Sequence, residues 1–159
     1  MKKKILFVCL GNICRSPAAE GVFLDLLIKR GLADQFVVDS AGTGGWHVGR
    51  PADRRMQAAA NRRGIQLPSR ARQIRLDDLS DFDLIVTMDD ANLLDVQNLA
   101  HETGSSATAS IKPILSFAKR FNYTEVPDPY YGGESGFEHV LDLLEDSCSA
   151  LLDELTVEG

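Results

Sequence analysis

The chain opens with a short uninterrupted apolar run, Ile5-Leu6-Phe7-Val8, that stops at a glycine-containing loop. A run without polar alternation suits a strand buried on both faces, as in a parallel sheet. Over residues 18–30 the apolar positions fall at Ala19, Val22, Phe23, Leu26 and Leu27, a helical spacing closed by Gly31. Ser16-Pro17 reads as the start of that helix, a hydroxyl cap followed by a proline at the first helical position. Residues 36–38 predict a second strand, and residues 52–63 a second helix ending at Gly64. Residues 83–88 predict a third buried strand, residues 89–99 its following helix, and residues 110–115 a fourth strand with Pro113 inside it. In the tail, residues 137–155 place Phe137, Val140, Leu141, Leu144, Cys148, Leu151, Leu152 and Leu155 on one helical face. Residues 40–49 and 126–133, punctuated by Gly or Pro, read as loops.

Strands that alternate with helices argue an α/β fold: a single three-layer domain over residues 1–159, with a four-stranded parallel sheet, helices on both faces and a tight loop after the first strand, whose phosphate-binding character rests on residues 9–17. Ligands of such folds sit beyond the carboxyl ends of the strands. At 159 residues, 44% apolar and 25% charged, the chain is long enough to bury a core, and it is neither collagen-like nor of low complexity. No apolar run approaches the ~18 residues of a membrane helix, so no membrane partner is expected. The net charge of −6 argues against a nucleic-acid partner.

Charge is unevenly spread. Residues 50–75 hold Arg50, Arg54, Arg55, Arg62, Arg63, Arg70, Arg72 and Arg75, while residues 125–159 hold no Lys or Arg. The arginines read either as a solvated helix face or as a basic rim that steers an anion. Three cysteines, an odd number, do not make a secreted disulfide framework. Lys2-Lys3-Lys4 before an apolar run imitates a signal peptide, but the run is too short; the expected location is cytoplasmic.

The segment Cys9-Leu10-Gly11-Asn12-Ile13-Cys14-Arg15-Ser16-Pro17 carries the chemistry. Backbone N–H groups of a tight loop converge on an anion, and the helix behind adds the positive end of its dipole. Gly11 lets the backbone turn, and Arg15 offers a planar fork for two phosphate oxygens. Cys9 at the strand end faces the same focus, where donors that hold a phosphate also favour a thiolate. A thiolate beneath a phosphoryl group is placed for in-line attack, with Ser16 donating to the sulfur. The reaction then needs a proton for the leaving oxygen and an activated water. Asp128, held between Pro127 and Pro129, is the candidate; by itself, Asp-Pro also reads as a plain turn.

Together with Asp39-Ser40-Ala41-Gly42-Thr43, Ala71-Arg72-Gln73, Met88-Asp89 and Val126-Pro127-Asp128-Pro129-Tyr130, this loop resembles the low-molecular-weight protein tyrosine phosphatases, in the same order and over nearly the whole chain. The resemblance implies a protein tyrosine phosphatase that hydrolyses phosphotyrosine and aryl phosphates through a phosphocysteine intermediate. It implies Cys9 as nucleophile, Arg15 as phosphate clamp and Asp128 as general acid, then base. It implies that Leu10, Gly11, Asn12, Ile13, Cys14 and Ser16 form the substrate-binding loop, with Trp46 and Tyr130 flanking the substrate ring. Asn12 would hold the loop's shape, and as an Asn it tolerates a left-handed backbone. Cys14 would form a reversible disulfide with Cys9 under oxidation, and Tyr131 would be a second rim residue or a phosphorylation site. Relatives often carry His where this chain has Ser69; that His tethers the loop serine, and Ser69 is too short to do so.

The expected partners are phosphotyrosine-containing proteins, with inorganic phosphate as product and weak competitive inhibitor. The chain would act as a monomer or with weak self-association. No cofactor is expected, and no metal, since His47, His101 and His139 have no metal-ligand spacing. Two other readings use the same loop. An arsenate reductase needs further cysteines to pass a disulfide outward, and residues 87–92 contain none. A phosphocysteine carrier or phosphopeptide-binding module needs neither Asp128 nor an arginine that holds the group for hydrolysis.

Overall fold

A computed structural model describes residues 2–130 and 132–157; Tyr131 lies outside the described residues. The order is β1 (Lys3–Cys9), α1 (Arg15–Lys29), β2 (Phe36–Gly42), α2 (Arg54–Asn61), α3 (Asp78–Asp81), β3 (Leu84–Thr87), α4 (Asp90–Thr103), β4 (Ser110–Pro113) and α5 (Glu134–Val157). The four strands form one parallel sheet in the order β2-β1-β3-β4. Ile5, Leu6, Phe7 and Val8 of the central β1 have no exposed surface, as their unalternating apolar run predicts. On one face Ile5 and Phe7 join the core made by α1, α2 and α5. On the other, Leu6 and Val8 meet Leu79 of α3 and Val96 of α4. The three-layer α/β arrangement thus follows from β1 presenting apolar side chains to both sides.

Strand register decides which residues meet at the sheet's edge. Cys9 pairs with Gly42, and Val8 with Thr87. The carboxyl ends of β1, β2 and β3 therefore finish side by side, and the residues just beyond them share one edge of the sheet.

Three local readings need correction. Helix α1 begins at Arg15, with Cys14 in the capping position and Pro17 inside the first turn, so Ser16 is not the cap; its hydroxyl is used elsewhere. The fourth strand stops at Pro113 and turns into a single helical turn, Ile114–Phe117. Proline costs this strand little because β4 is an edge strand. The four-residue α3 was not expected, being too short for a periodic signal. The arginine cluster also resolves into parts. Arg62 and Arg63 pair with Glu138, Asp142 and Glu145 of α5, clipping α2 to the acidic tail, and Arg72 pairs with Asp39 and Asp78. Arg63 and Arg72 are largely taken up by these pairs, while Arg62 stays half-exposed on the solvated face that the sequence suggests.

Candidate active site

The helix behind the loop is open at its N-terminus. Cys14 caps α1 without a side-chain hydrogen bond, and the first turn holds no acidic residue. By contrast α2 is capped by Asp53, and α4 by Asp89 in a capping box with Asn92. The unpaired N–H groups and dipole of α1 are left for an anion. Asn12 takes the left-handed turn at φ 57°. Gly11 does not have a positive φ; a Cβ there would meet the His47 ring at 3.0 Å. Gly42 is needed for a related reason: a Cβ would lie 2.8 Å from the Leu10 carbonyl oxygen, so only glycine lets β2 approach the loop this closely.

The sulfur of Cys9 lies at the centre. It receives the backbone N–H of Asn12 at 3.3 Å, and the Ser16 hydroxyl is 3.0 Å away. Ser16 Oγ accepts from Asn12 Nδ2 at 2.8 Å, and the same Nδ2 donates to Ser40 Oγ at 3.0 Å. Asn12 and Ser16 are buried behind the loop, and neither lines the cavity in front of it. They shape the site from beneath.

Arg15 is only 3% exposed. Its Nη1 donates to Asp89 Oδ2 at 2.7 Å and to the Val126 carbonyl at 3.1 Å, and its Nη2 lies 3.7 Å from Asp128 Oδ2. The cavity, of about 400 Å³, is lined by Cys9, Leu10, Gly11, Ile13, Cys14, Arg15, Trp46, His47, Asp128 and Tyr130. Thiol, guanidinium and carboxyl thus share one space; burial works to lower the Arg15 pKa, but Cys9, Asp89 and Asp128 together raise it. The carboxyl of Asp128 is partly exposed over this space and accepts the Tyr130 N–H at 3.0 Å, so the loop's own backbone orients it. Trp46 stands at the mouth, 70% exposed. The ring beside Tyr130 is that of His47, with centroids 6.1 Å apart.

Burial, with help from the charges of Asp53, Cys9 and Asp128, pushes the Cys14 thiol far above its ordinary value, against a lowering by Arg55. Cys14 is therefore a neutral thiol in the same cavity as Cys9. Both, with Cys148, are free.

Several residues belong to the site although the sequence reading did not place them there. Asp89 holds Arg15 and caps α4 with its other oxygen. His47 lines the cavity, though its spacing in the sequence leaves it isolated. Asp53 and Arg55 tie the loops together: the Asp53 N–H donates to Ile13 O at 2.7 Å, and Arg55 holds Asp53 and donates to Tyr130 O at 2.8 Å. The Arg55 guanidinium also lies over the Phe137 ring, 4.7 Å from its centroid. The gap foreseen at Ser69 is filled from another direction, because Ser40 links Asn12 to Glu20. The signal for Asp89 was its place two residues past β3, at the edge where ligands of parallel sheets sit.

This geometry agrees with comparison to known proteins. The family model described as low molecular weight phosphotyrosine protein phosphatase matches residues 4–159. The low molecular weight protein-tyrosine-phosphatase YfkJ of Bacillus subtilis is 43% identical over 155 residues, covering 97% of this chain and 96% of that one. A protein tyrosine phosphatase from Entamoeba histolytica, crystallised with Hepes in the active site, superposes with TM-score 0.93 at 41% identity, covering 99% of each chain. A Drosophila arginine phosphatase superposes with TM-score 0.91 at 36% identity, covering 98% of each. With the family model matching residues 4–159 and relatives above 40% identity covering nearly all of it, the chain belongs to the low molecular weight phosphotyrosine protein phosphatase family.

Proposed function

We propose that residues 1–159 act as one catalytic domain that hydrolyses phosphotyrosine in proteins, and aryl phosphates generally, in two steps. The observation that carries this reading is the Cys9 sulfur, held by the Asn12 N–H and Ser16 at the uncapped start of α1, in one cavity with Arg15 and Asp128. In the first step the Cys9 thiolate attacks phosphorus. The loop amides and Arg15 hold the equatorial oxygens, where charge accumulates. The phosphorus–oxygen bond breaks with its electron pair on the phenol oxygen, and Asp128 supplies the proton. In the second step Asp128, now a carboxylate, takes a proton from water as that water attacks the phosphocysteine. Sulfur leaves as the thiolate, stabilised by the Ser16 hydroxyl, and inorganic phosphate is released.

Tyr130, Trp46 and Leu10 surround the cavity mouth and suit an aromatic ring standing above the phosphate. Phosphotyrosine reaches the sulfur through such a mouth, whereas the shorter phosphoserine does not. The test is a turnover panel with phosphotyrosine, phosphoserine, phosphoarginine and arsenate for wild type and Cys9→Ser. Phosphotyrosine turnover that is lost in Cys9→Ser supports the reading. Turnover retained without the thiol, or confined to phosphoarginine or arsenate, overturns it.

A further inference from the structure

The hydrogen bonds behind Cys9 have directions that can be traced outward from the sulfur. Asn12 Oδ1 accepts the Arg72 backbone N–H at 2.9 Å, which fixes the side-chain amide's orientation and turns Nδ2 toward Ser16 and Ser40. Ser16 Oγ therefore accepts from Asn12. Its single hydrogen is left for Cys9 Sγ at 3.0 Å, in preference to the longer 3.4 Å approach to Ala41 O. Ser40 Oγ likewise accepts from Asn12, and its single hydrogen goes to Glu20 Oε1 at 2.6 Å. Glu20 is thus the terminal acceptor of the chain.

Glu20 stands one helical turn beyond Ser16 on α1, and the two share a face. It is 6% exposed, and no step of phosphoryl transfer touches it. Burial raises the pKa of its carboxyl, opposed by the Ser40 and Ser69 hydroxyls and by Arg72 of the segment after α2. Asp39 on β2 adds to the rise. A buried carboxyl in this position is costly, and among the described residues its hydrogen bond toward the site runs through Ser40.

Resting on the reading of Cys9 as nucleophile, we propose that Glu20 is a positioning residue. As terminal acceptor for Ser40 it sets the direction of each hydrogen bond through Asn12 to Ser16, so that Ser16 presents its O–H to the Cys9 sulfur. Without an acceptor at position 20, the Ser40 hydrogen turns back on Asn12. The amide then loosens, and Ser16 is released from its alignment with the sulfur.

The experiment compares Glu20→Leu, which keeps bulk without an acceptor, with Glu20→Gln, which keeps the oxygen. The readout is the pH profile of Cys9 alkylation by iodoacetate, with the adduct mapped to Cys9, alongside kcat and KM for p-nitrophenyl phosphate. Glu20→Leu slows alkylation on the acid limb about tenfold, the scale of one weakened hydrogen bond to a charged group. Glu20→Gln restores the profile. In a Ser16→Ala background Glu20→Leu has no further effect, because the last link is already cut. A wild-type profile in Glu20→Leu, a Gln variant as slow as the Leu variant, or an undiminished effect in Ser16→Ala overturns the proposal. If Glu20→Leu does not fold, Ser40→Ala breaks the same link and must give the same slowing; an unchanged profile there overturns it equally. Failure of the underlying reading is separate, since it shows as turnover that survives Cys9→Ser.

Discussion

Replacing Asp89 by asparagine separates two jobs that one carboxylate now performs. Oδ1 accepts the Asn92 N–H at 2.8 Å and caps α4, while Oδ2 accepts Arg15 Nη1 at 2.7 Å. Asparagine has one acceptor oxygen. If that oxygen caps α4, its NH2 faces the guanidinium donor to donor. A hydrogen bond to a charged group contributes about 1.5–3 kcal/mol, and removing one partner of a buried pair costs more than that. The Arg15 side chain is 4% exposed and the Asp89 side chain 20%, so water restores only part of the loss. Arg15 retains the Val126 carbonyl, which limits its drift. The expected cost in transition-state stabilisation is about 2–3 kcal/mol, or a fall of roughly 30- to 150-fold in kcat/KM for p-nitrophenyl phosphate. Melting temperature should fall by several degrees, because the cap survives but the buried guanidinium loses a charged partner in the folded state. The assay is steady-state kinetics beside a thermal melt. A kcat/KM within threefold of wild type, with a folded protein, would refute the claim that Asp89 aims Arg15.

Asp128→Ala should slow esters with basic leaving groups more than those with acidic ones; equal slowing across a series of phenols removes Asp128 as proton donor. Hydrogen peroxide should convert Cys9 to a sulfenic acid, which Cys14 then condenses with loss of water, and thiol reductant should restore activity. Peptide mapping that finds no Cys9–Cys14 disulfide excludes this. The raised pKa of Glu20 carries a stability consequence: the folded state holds the proton longer than the unfolded chain. Stability is therefore lost as pH rises from the ordinary carboxyl pKa through the folded one, and the loss persists above it. Glu20→Gln should match wild type in melts near pH 4 and exceed it near pH 7. A difference that does not vary with pH contradicts the sign.

What the sequence carries plainly is what is local. Cys9, Arg15 and the strand–loop–helix passage around them are contiguous, and the Pro-flanked Asp128 stands out by itself. Ser16 was misplaced as a helix cap because capping rules assume that a helix start must be satisfied from within. Here the N-terminus of α1 is left open, and the hydroxyl serves the sulfur instead. Asp89 lies 74 residues from Arg15, and Ser40 lies 28 from Asn12. Only the register of β1 with β2 and β3 brings these pairs together. Glu20 reads in sequence as one polar position of an amphipathic helix, and no periodicity reveals that it faces Ser40. The ion pairs of Arg62 and Arg63 were hidden for a related reason, since their partner Glu138 on α5 is 75 or more residues away.

The central claim is a covalent bond between phosphorus and one sulfur. Rapid acid quench of Asp128→Ala during turnover of an aryl phosphate with an acidic leaving group, which departs without a proton donor, followed by peptide mass spectrometry, tests it most directly. Loss of the group that activates water should leave the phosphoryl group on Cys9, in an amount that approaches one per chain. A phosphoryl group on any other residue, or phenol release with none on the protein, would contradict the account.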